Sequence, residues 1–326
     1  MRDAYFYVDR RTMQVFHKLE DIPADFRPTV LSVGNFDGVH RAHIHVINEM
    51  VRRAQQQHAK SMAVTFEPHP MRILRPDAGL KLLTPTAEKL RLLESSDLDA
   101  VLLLPFTRDL SLMPPHQFAR EILKDRLKAR EIHEGYNFHF GHKAEGDVST
   151  LSEFGRQMGF DVKVYPEMKL RGESVSSSQI RKLVTNGCVS RARHLLGRPF
   201  SILSTPGRGR GYGARYTVPT INLSRYEELA PQDGVYITRT RVAQECFDSV
   251  TNIGNRPTFG AESFAIESHL LNFHAIALTA ETEVEIYFLE RLRDEIKFPS
   301  VDALREQIAR DVKRARRYFH LLKLRR

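Results

Sequence analysis

Two histidines at the start of a predicted helix are the residues of this chain whose spacing points most directly to chemistry. His40 and His43 follow a turn that contains two glycines and an aspartate, Gly34, Asp37 and Gly38. An apolar run precedes the turn and an amphipathic segment follows it, which predicts a strand, a turn and a helix in succession. Free backbone N–H groups at a helix start, together with two imidazoles, can bind the phosphates of a nucleotide. A solvated helix face without function is the alternative, and the glycine-rich turn argues against it.

The turn and the histidines need a strand and a helix to position them, and the first half of the chain alternates such elements. Predicted strands cover Val30–Val33, Met62–Phe66, Ala100–Pro105, Glu131–Gly135 and Asp161–Tyr165. The helical faces between them carry Val46, Ile47, Met50, Val51 and Ala54, then Leu90, Leu92 and Leu93, then Phe118, Ile122, Leu123 and Leu127. This alternation predicts a parallel sheet with helices on both faces, whose ligands bind beyond the carboxyl ends of the strands. The turn lies at that edge, after the strand that we expect to be first.

After Gly197 the pattern changes to short alternating runs with turn residues between them. Four runs predict antiparallel strands: Gly234–Arg239, Phe247–Gly254, Phe264–Phe273 and Glu283–Leu289. Strands of this length and spacing are typical of a small β-barrel. A last helix has Ser300 as its expected N-cap and one apolar stripe, formed by Leu304, Ile308, Val312, Ala315, Phe319 and Leu322. We expect the whole stripe to pack on the barrel.

Length and composition are those of an ordinary globular protein. With 326 residues, of which 41% are hydrophobic, the chain is long enough for two domains. No apolar run approaches the roughly 20 residues that span a bilayer, and the first residues do not resemble a signal peptide. Cys188 and Cys246 lie far apart, in no spacing typical of a metal site or a disulfide framework. We therefore expect a cytoplasmic protein.

The net charge of +9 raises the question of nucleic acid binding. Seven positive charges lie in the last fourteen residues: Lys313, Arg314, Arg316, Arg317, Lys323, Arg325 and Arg326. Cations near the C-terminus of a helix interact favourably with the helix dipole and usually face solvent. Small anionic substrates suit a basic protein equally well, so we expect small-molecule partners and neither nucleic acid nor membrane. RNA binding by the basic tail is the least favoured alternative.

Residues 33–43 resemble a known family signature. Their sequence, V-G-N-F-D-G-V-H-R-A-H, is similar to the G-N-F-D-G-V-H-x-G-H motif of the bacterial bifunctional riboflavin kinases/FAD synthetases, the RibF family. Three further segments follow in the family order: T-F-E-P-H-P at 65–70, G-Y-N-F-H-F-G at 135–141 and S-S-S-Q-I-R at 176–181. Ala42 is a departure, because the family has glycine between the histidines.

The resemblance implies a Rossmann-like nucleotidyltransferase domain that transfers AMP from ATP to FMN. In the family pattern His40 and His43 are the catalytic residues. Residues that would bind ATP and its phosphates are Gly34, Asn35, Phe36, Asp37, Gly38, Ser177 and Arg181. Residues that would bind FMN are Phe66, Pro68, His69, Asn137 and Asp147. Adenylyl transfer needs two anions held in line and donors for the charge on the α-phosphoryl group, and imidazoles and free N–H groups provide such donors.

Segments of the second half resemble riboflavin kinases: P-T-I-N at 219–222, N-I-G-N-R-P-T-F at 252–259, I-E-S-H-L-L at 266–271 and L-R-D-E-I-K-F at 292–298. The resemblance implies that Thr220 and Asn222 help to hold Mg²⁺ and ATP, since magnesium prefers hard oxygen ligands. It implies that Glu267 is the general base for the riboflavin 5′-hydroxyl and that Arg293 borders the flavin. Gly213 belongs to a stretch rich in glycine and arginine that we interpret as a phosphate-binding loop.

This half departs further from its family than the first. Thr217 stands where a glycine is expected, and a β-branched residue resists positive φ. Ala214 replaces an arginine, and the Y-G pair expected after Phe273 is absent. These differences motivate an alternative in which only the adenylyltransferase works and the barrel is a degenerate flavin-binding module.

The sequence thus predicts an α/β protein with two domains. Residues 1–186 would form the FMN adenylyltransferase domain with its parallel sheet. Residues 187–326 would form the antiparallel β-barrel riboflavin kinase domain with its terminal helix. The chain would phosphorylate riboflavin to FMN and adenylylate FMN to FAD, with ATP and Mg²⁺ in both steps. The oligomeric state is not decided by the sequence, and a homo-oligomer stays open.

Overall fold

The computed structural model describes residues 12–26, 28–207, 220–224, 226–256, 263–274, 276 and 278–324. Contacts within the chain divide it into two compact units, residues 1–177 and 178–326. This division falls earlier in the chain than the domain boundary that we predict between residues 186 and 187, and that boundary stays a prediction.

A six-stranded parallel sheet forms the centre of the first unit. The strands of this unit are, in chain order, β1 (Gln14–Phe16), β2 (Thr29–Val33), β3 (Lys60–Glu67), β4 (Ala100–Pro105), β5 (Ala129–Gly135), β6 (His139–Phe140), β7 (Gly146–Asp147), β8 (Asp161–Tyr165), β9 (Lys169–Leu170) and β10 (Glu173–Ser174). The order across the large sheet is β1-β4-β3-β2-β5-β8. The four remaining strands form two small antiparallel pairs.

The five strands predicted for this unit are confirmed, but an unpredicted strand precedes them, so the histidine turn does not follow the first strand of the chain. β1 precedes it in the chain and pairs in parallel with β4, with Gln14 opposite Ala100. A strand of only three residues is too short to show an alternating pattern, which is why the sequence did not reveal it. The turn therefore follows the second strand of the chain, and the segment at 65–70 follows the third.

Helices cover both faces of this sheet, as predicted. The helices of this unit are α1 (Arg41–Gln56), α2 (Pro70–Leu74), α3 (Thr86–Glu94), α4 (Arg108–Leu112), α5 (Pro115–Gln117) continued by a π-helix (Phe118–Arg126), and α6 (Val148–Met158). The next helix, α7 (Ser177–Thr185), begins at the last residue of the unit. Alternate residues of β2 enter two different cores. Leu31 and Val33 pack with the π-helix residues, and Val30 packs with Ile47 and Met50 of α1.

The strand order reverses between β2 and β5. From β2 the chain proceeds through β3 and β4 on one side, and then crosses to β5 and β8 on the other. In open parallel sheets the crevice for a ligand lies beyond the carboxyl ends of the strands at such a reversal. Because β2 ends at Val33, the turn that begins at Gly34 lies at this crevice.

The second unit is an antiparallel half-barrel followed by a long helix. Its elements are α8 (Val189–Leu196), β11 (Phe200–Ser204), β12 (Thr220–Asn222), β13 (Gly234–Val242), β14 (Glu245–Arg256), β15 (Ser263–Leu270), β16 (Val284–Arg293) and α9 (Val301–Leu324). The sheet order is β11-β16-β13-β14-β15-β12. The two edge strands meet beyond their ends, where Pro206 bridges Leu223 and the Ser224 N–H donates to the Thr205 carbonyl at 2.9 Å. The four predicted strands and the terminal helix are confirmed.

The apolar stripe of α9 packs on the barrel over only part of its length. Ala315 and Phe319 pack against Val235 and Ile237 of β13. Ser300 caps the helix as predicted, since its Oγ accepts from the Ala303 N–H at 3.1 Å. The expectation that the whole stripe is buried was wrong. Leu304 is 38% exposed and Ile308 is 36% exposed, because no apolar core among the described residues reaches the first turns of the helix.

Candidate active sites

The turn after β2 departs from ordinary backbone geometry. Phe36, Gly38 and Val39 all have positive φ, at 46°, 86° and 37°. This region is strained for a β-branched residue such as Val39, and strained backbone is held in place only by its surroundings. The side chains of Phe36 and Val39 are buried in the core on the α1 face of the sheet, and this packing anchors the turn.

Asp37 fastens the turn to two other segments. Its carboxylate accepts from the backbone N–H of Leu83 at 3.2 Å and of Thr84 at 3.1 Å. The Gly38 N–H donates to the Thr84 hydroxyl at 2.9 Å. The Ser177 hydroxyl, at the first residue of α7, donates to the Asp37 carbonyl at 2.8 Å. Asp37 and Ser177, both predicted to bind ATP, thus also hold the shape of the turn.

His40 and His43 lie together at the N-terminus of α1. Their rings stack, with centroids 3.6 Å apart and an interplanar angle of 15°. His40 is the N-cap residue, and its Nδ1 accepts from the His43 N–H at 3.4 Å. The ring of Phe36 packs edge-on against His43 at 5.2 Å. The structure therefore brings the two predicted catalytic imidazoles into one cluster at the start of the helix.

The end of β3 forms one wall beside the turn. Phe66 packs edge-on against Phe106, with ring centroids 5.5 Å apart. After Pro68, His69 is the N-cap of α2, and its Nδ1 accepts from the Met71 N–H at 3.2 Å. The structure thus gives His69 a capping contact in addition to its predicted part in binding FMN.

Lys89 is a residue near the turn that the sequence analysis missed. It lies on α3, is only 2% exposed, and its Nζ donates to the Thr65 hydroxyl at 3.3 Å. The Thr65 hydroxyl in turn donates to the Asn35 carbonyl at 3.2 Å. Burial lowers the pKa of Lys89, while the nearby carboxylates of Asp37 and Glu67 oppose this shift. A lone lysine in a helix gives no signal in the sequence that distinguishes it from a surface residue.

The segment after β5 supplies aromatic rings and a helix cap. Phe138 and Phe140 stack with their centroids 5.5 Å apart. Asp147 caps α6 by accepting from the Thr150 N–H at 2.8 Å, and this bond with those from nearby hydroxyls lowers the pKa of Asp147 to about 2. The side-chain oxygen of Asn137 lies close to Gly135, because a Cβ atom added to Gly135 would be 3.4 Å from that oxygen.

In the half-barrel, two predicted site residues, Asn222 and Glu267, lie in one row across the sheet with Asn252. Asn252 of β14 is directly opposite Glu267 of β15, and Glu267 is directly opposite Asn222 of β12. Directly opposed residues on antiparallel strands project from the same face, on strands about 4.8 Å apart. Thr220 is opposite His269, two residues along β15, and so projects from this face as well. The row places a carboxylate between two amides.

A second carboxylate approaches this row. The Asn252 amide lies 3.5 Å from Glu295 Oε1. Gly254, two residues along the same strand, leaves the space that the Glu295 carboxylate occupies, because any Cβ there would collide with it. Glu295 belongs to the segment at 292–298 that resembles riboflavin kinases, but the sequence analysis gave it no role.

Arg293 lies at the other end of the same row and is held by α9. It is opposite Val235 of β13, which is opposite Asn252. Its Nη2 lies 2.8 Å from Asp311 Oδ2, and the Asp311 side chain is 3% exposed. The structure therefore gives Arg293 a structural contact with the terminal helix, beside the flavin-bordering role predicted for it.

Several predictions for the second half fall outside the described residues. They concern Gly213 and its neighbours Ala214 and Thr217, and residues 275 and 277 in the region of the missing Y-G pair after Phe273. Within the described ranges, no helix is both long and apolar enough to cross a membrane. In the same ranges no group of three or more His, Cys, Asp and Glu side chains is placed to hold a metal ion.

Two family models match the chain. The FAD synthetase model matches residues 22–179 and the riboflavin kinase model matches residues 196–319. The bifunctional riboflavin kinase/FMN adenylyltransferase of Escherichia coli K12 is 31% identical over 308 residues, which cover 94% of this chain and 97% of that protein. This chain belongs to the family of bifunctional riboflavin kinases/FMN adenylyltransferases.

Other relatives agree with this membership. The family member of Pseudomonas fluorescens is 32% identical over 305 residues, covering 93% of this chain and 97% of its own length. A solved structure described as a macrolide-efflux protein from Streptococcus pneumoniae has a TM-score of 0.83 and covers 94% of this chain and 99% of its own. It is 24% identical, so this likeness supports the fold alone. Within the family frame, the histidine cluster belongs to the FAD synthetase half and the Glu267 row to the riboflavin kinase half.

Proposed function

We propose that this chain makes FAD from riboflavin in two ATP-dependent steps at separate sites. The second unit would phosphorylate riboflavin to FMN, and the first would adenylylate FMN and release pyrophosphate. The observation that carries the proposal is the stacked pair of His40 and His43 on a helix N-terminus, at the point where the strand order of a parallel sheet reverses. Anionic ligands bind at such helix starts, and nucleotides bind at such crevices.

In the adenylyltransferase step, a phosphate oxygen of FMN attacks the α-phosphorus of ATP. The new P–O bond forms as the bond from the α-phosphorus to the bridging oxygen breaks, and pyrophosphate leaves with that oxygen. His40 and His43 would donate hydrogen bonds to the α-phosphoryl oxygens, where negative charge grows in the transition state. Gly34, Asn35 and Gly38 would bring the backbone close to the nucleotide.

The remaining predicted contacts of the first site divide into two groups. For Ser177 and Arg181, on α7, a part in binding ATP phosphates stays a prediction, and the Ser177 hydroxyl donates to the Asp37 carbonyl in this structure. The flavin end of FMN would lie against Phe66 and Pro68, and Asn137 would donate to it. Asp37 and Asp147, which the sequence analysis placed among the ligand-binding residues, are better suited to positioning, because their carboxylates accept backbone N–H groups of neighbouring segments.

In the kinase step, Glu267 would accept the proton of the riboflavin 5′-hydroxyl as that oxygen attacks the γ-phosphorus of ATP. The bond from the γ-phosphorus to its bridging oxygen breaks, and ADP leaves. Asn222 projects beside Glu267, which places a neutral oxygen ligand next to the base. Arg293 would border the flavin while it remains paired with Asp311.

The residues present fit Mg²⁺. The Thr220 hydroxyl and the Asn222 amide oxygen are hard ligands on one face of β12, close to the Glu267 carboxylate. Magnesium is usually bound by only a few protein oxygens together with substrate phosphates, which agrees with so small a set. Bound there with ATP, Mg²⁺ would neutralise charge on the phosphates during transfer.

The expected setting is the cytoplasm, with ATP, riboflavin and FMN as partners and no nucleic acid. Cys188 and Cys246, the two cysteines of the chain, are not joined by a disulfide, which agrees with a reducing compartment. We propose no role for the basic tail beyond solvation, and a homo-oligomer stays open.

A time course with the purified full chain tests the proposal. Riboflavin, ATP and Mg²⁺ should give FMN that rises and then declines as FAD appears, and a parallel run from FMN should give FAD and pyrophosphate. FAD from the second run alone would favour the alternative of a working adenylyltransferase with a degenerate kinase half. The absence of FAD from both runs would overturn the proposal for the first unit.

A further inference from the structure

The ladder between β2 and β5 opens before either strand ends. On one side of β2, pairing with β3 continues to Val33 opposite Val64. On the other side, pairing with β5 stops at Leu31 opposite Ile132. β5 itself continues along β8 to its last residue, Gly135. The two strands therefore separate at their carboxyl ends, at the point where the strand order reverses.

The side chain of Glu134 spans this opening. Its Oε1 accepts from the Val33 N–H at 2.7 Å, so a carboxyl group replaces the backbone acceptor that a continued ladder would supply. Glu134 is only 3% exposed, and burial raises the pKa of its carboxyl well above the usual range. In the part of the chain that the structure describes, no cation pairs with it.

A carboxyl group at position 134 is less favourable for stability than an apolar side chain if packing is the only consideration. A buried polar group is destabilising unless it is hydrogen-bonded, and an apolar side chain of the same size would fill the space. An apolar side chain would leave the Val33 N–H without an acceptor, however, and Val33 is the last residue before the strained turn. The hydrogen bond fixes the end of β2 on the side where no strand supports it.

We propose that Glu134 is a positioning residue for adenylyl transfer. By joining β5 to the Val33 N–H across the open ladder, it holds the turn 34–40 so that His40 and His43 meet the reacting phosphates. This inference rests on the proposed adenylyltransferase function and adds to it a residue that does not touch the substrates' reacting atoms. A shift of about 1 Å in such a constellation can reduce the rate about 100-fold.

Two substitutions separate the hydrogen bond from the volume of the side chain. Glu134→Met keeps the length and removes the acceptor, and we expect kcat for FAD formation from FMN to fall roughly 10- to 100-fold while KM for ATP changes less than about threefold. Glu134→Gln restores a neutral acceptor at the same place, and we expect it to recover most of that loss. Amide hydrogen exchange should become faster in residues 33–40 of Glu134→Met and stay unchanged in β3.

Glu131 provides the matched control on the same strand. Its side chain is as deeply buried, but it pairs with Arg53 at 2.6 Å and lies at the opposite end of β5. Glu131→Gln should lower thermal stability and leave kcat for FAD formation within about threefold of wild type below its melting temperature. Riboflavin phosphorylation, assayed in each preparation, shows that the second unit is folded.

The outcomes are distinguishable. Wild-type protein that makes no FAD would refute the proposed function itself. If Glu134→Met makes FAD with the same kcat as wild type, the positioning role is refuted. If Glu134→Met loses activity only in proportion to its loss of folded protein, and Glu134→Gln does not recover kcat, then Glu134 is structural and the inference fails.

Discussion

At the scale of single residues, Asp147 shows how a capping carboxylate makes stability depend on pH. Its pKa is lowered to about 2 by the Thr150 N–H and neighbouring hydroxyls, from an ordinary value of 3.8. A lowered pKa stabilises the fold above the unfolded-state value, and this contribution is lost as the pH falls toward the folded-state value. We expect wild type to be more stable than Asp147→Asn above about pH 4.

The measurement is the urea midpoint of both proteins between pH 7 and pH 3. The difference between the two midpoints should shrink below about pH 4, because the unfolded chain binds a proton at Asp147 there while the folded protein keeps this carboxylate charged down to about pH 2. A difference that stays constant over this range would mean that the charge of Asp147 does not contribute to the cap.

Lys89 makes a residue-scale prediction for catalysis. Its ammonium group is buried beneath the turn, and its only hydrogen bond within the described residues is the long one to Thr65. Removing the charge with Lys89→Met should change the field at Asp37 and Glu67 and shift the turn. We expect FAD formation to fall roughly 10- to 100-fold and riboflavin phosphorylation to stay at the wild-type rate.

The control for this change is Lys124→Met, which removes a partly exposed lysine elsewhere in the same unit, where it donates to the Gly159 carbonyl at 3.1 Å. It should leave both rates at the wild-type level. Equal FAD formation by Lys89→Met and wild type would show that the buried ammonium group has no part in the reaction.

At the scale of elements, a closed ring of hydroxyl groups joins three strands of the half-barrel. Thr238 bonds to Ser249 and Thr251, Thr240 bonds to Ser249 and Ser268, and Ser268 closes the ring with Thr251. All five side chains are fully buried. Thr251 immediately precedes Asn252 in the chain, and Ser268 immediately follows Glu267. The ring therefore fixes the register of the row that contains the proposed base.

Thr251→Val tests this ring with little change in shape. It leaves two buried hydroxyls each short of a partner, so we expect a loss of about 1–3 kcal/mol in the free energy of unfolding of the second unit. Thr185→Val, at an exposed helix position, should change stability by less than about 0.5 kcal/mol. Equal stability of the two variants in urea titrations would show that the ring is not a stabilising unit.

The contact between β16 and α9 makes a second prediction at this scale. Asp311→Ala removes the carboxylate partner of Arg293 and leaves it the Asp294 carbonyl and the ring of Phe298. Breaking a buried ion pair on one side costs about 3–5 kcal/mol, and the solvent access of Arg293 places the expected loss at the lower end. Thermal unfolding followed by circular dichroism measures it, with Asp302→Ala as the exposed control on the same helix.

At the scale of the whole molecule, the sequence predicted the fold class and the order of the elements well. Ala100–Pro105 and Asp161–Tyr165 have the predicted bounds. The first is an apolar run that forms a buried strand, and the second alternates apolar and charged residues in a largely exposed strand at the edge of the sheet. β1 was not predicted because three residues are too few to show a hydrophobic periodicity. The burial of Leu304 and Ile308 was predicted wrongly because helical periodicity shows which residues share a face, not how far the partner surface extends.

The candidate sites were predicted less completely than the fold. Motif spacing indicated His40 and His43, and the structure shows them stacked. It could not show that Asp37 and Asp147 accept backbone N–H groups, because such partners depend on where distant segments meet. Glu134 and Lys89 gave no signal in the sequence for the same reason: their environment is created by the sheet and not by their neighbours in the chain.

The central claim, two reactions at two separate sites on one chain, is tested most directly by one pair of variants assayed for both reactions. His40→Ala/His43→Ala should lose FAD formation by at least about 100-fold and keep riboflavin phosphorylation. Glu267→Gln should lose riboflavin phosphorylation by about 100-fold or more and keep the conversion of FMN to FAD. Loss of both reactions in either folded variant, or an unchanged kinase rate in Glu267→Gln, would contradict the account.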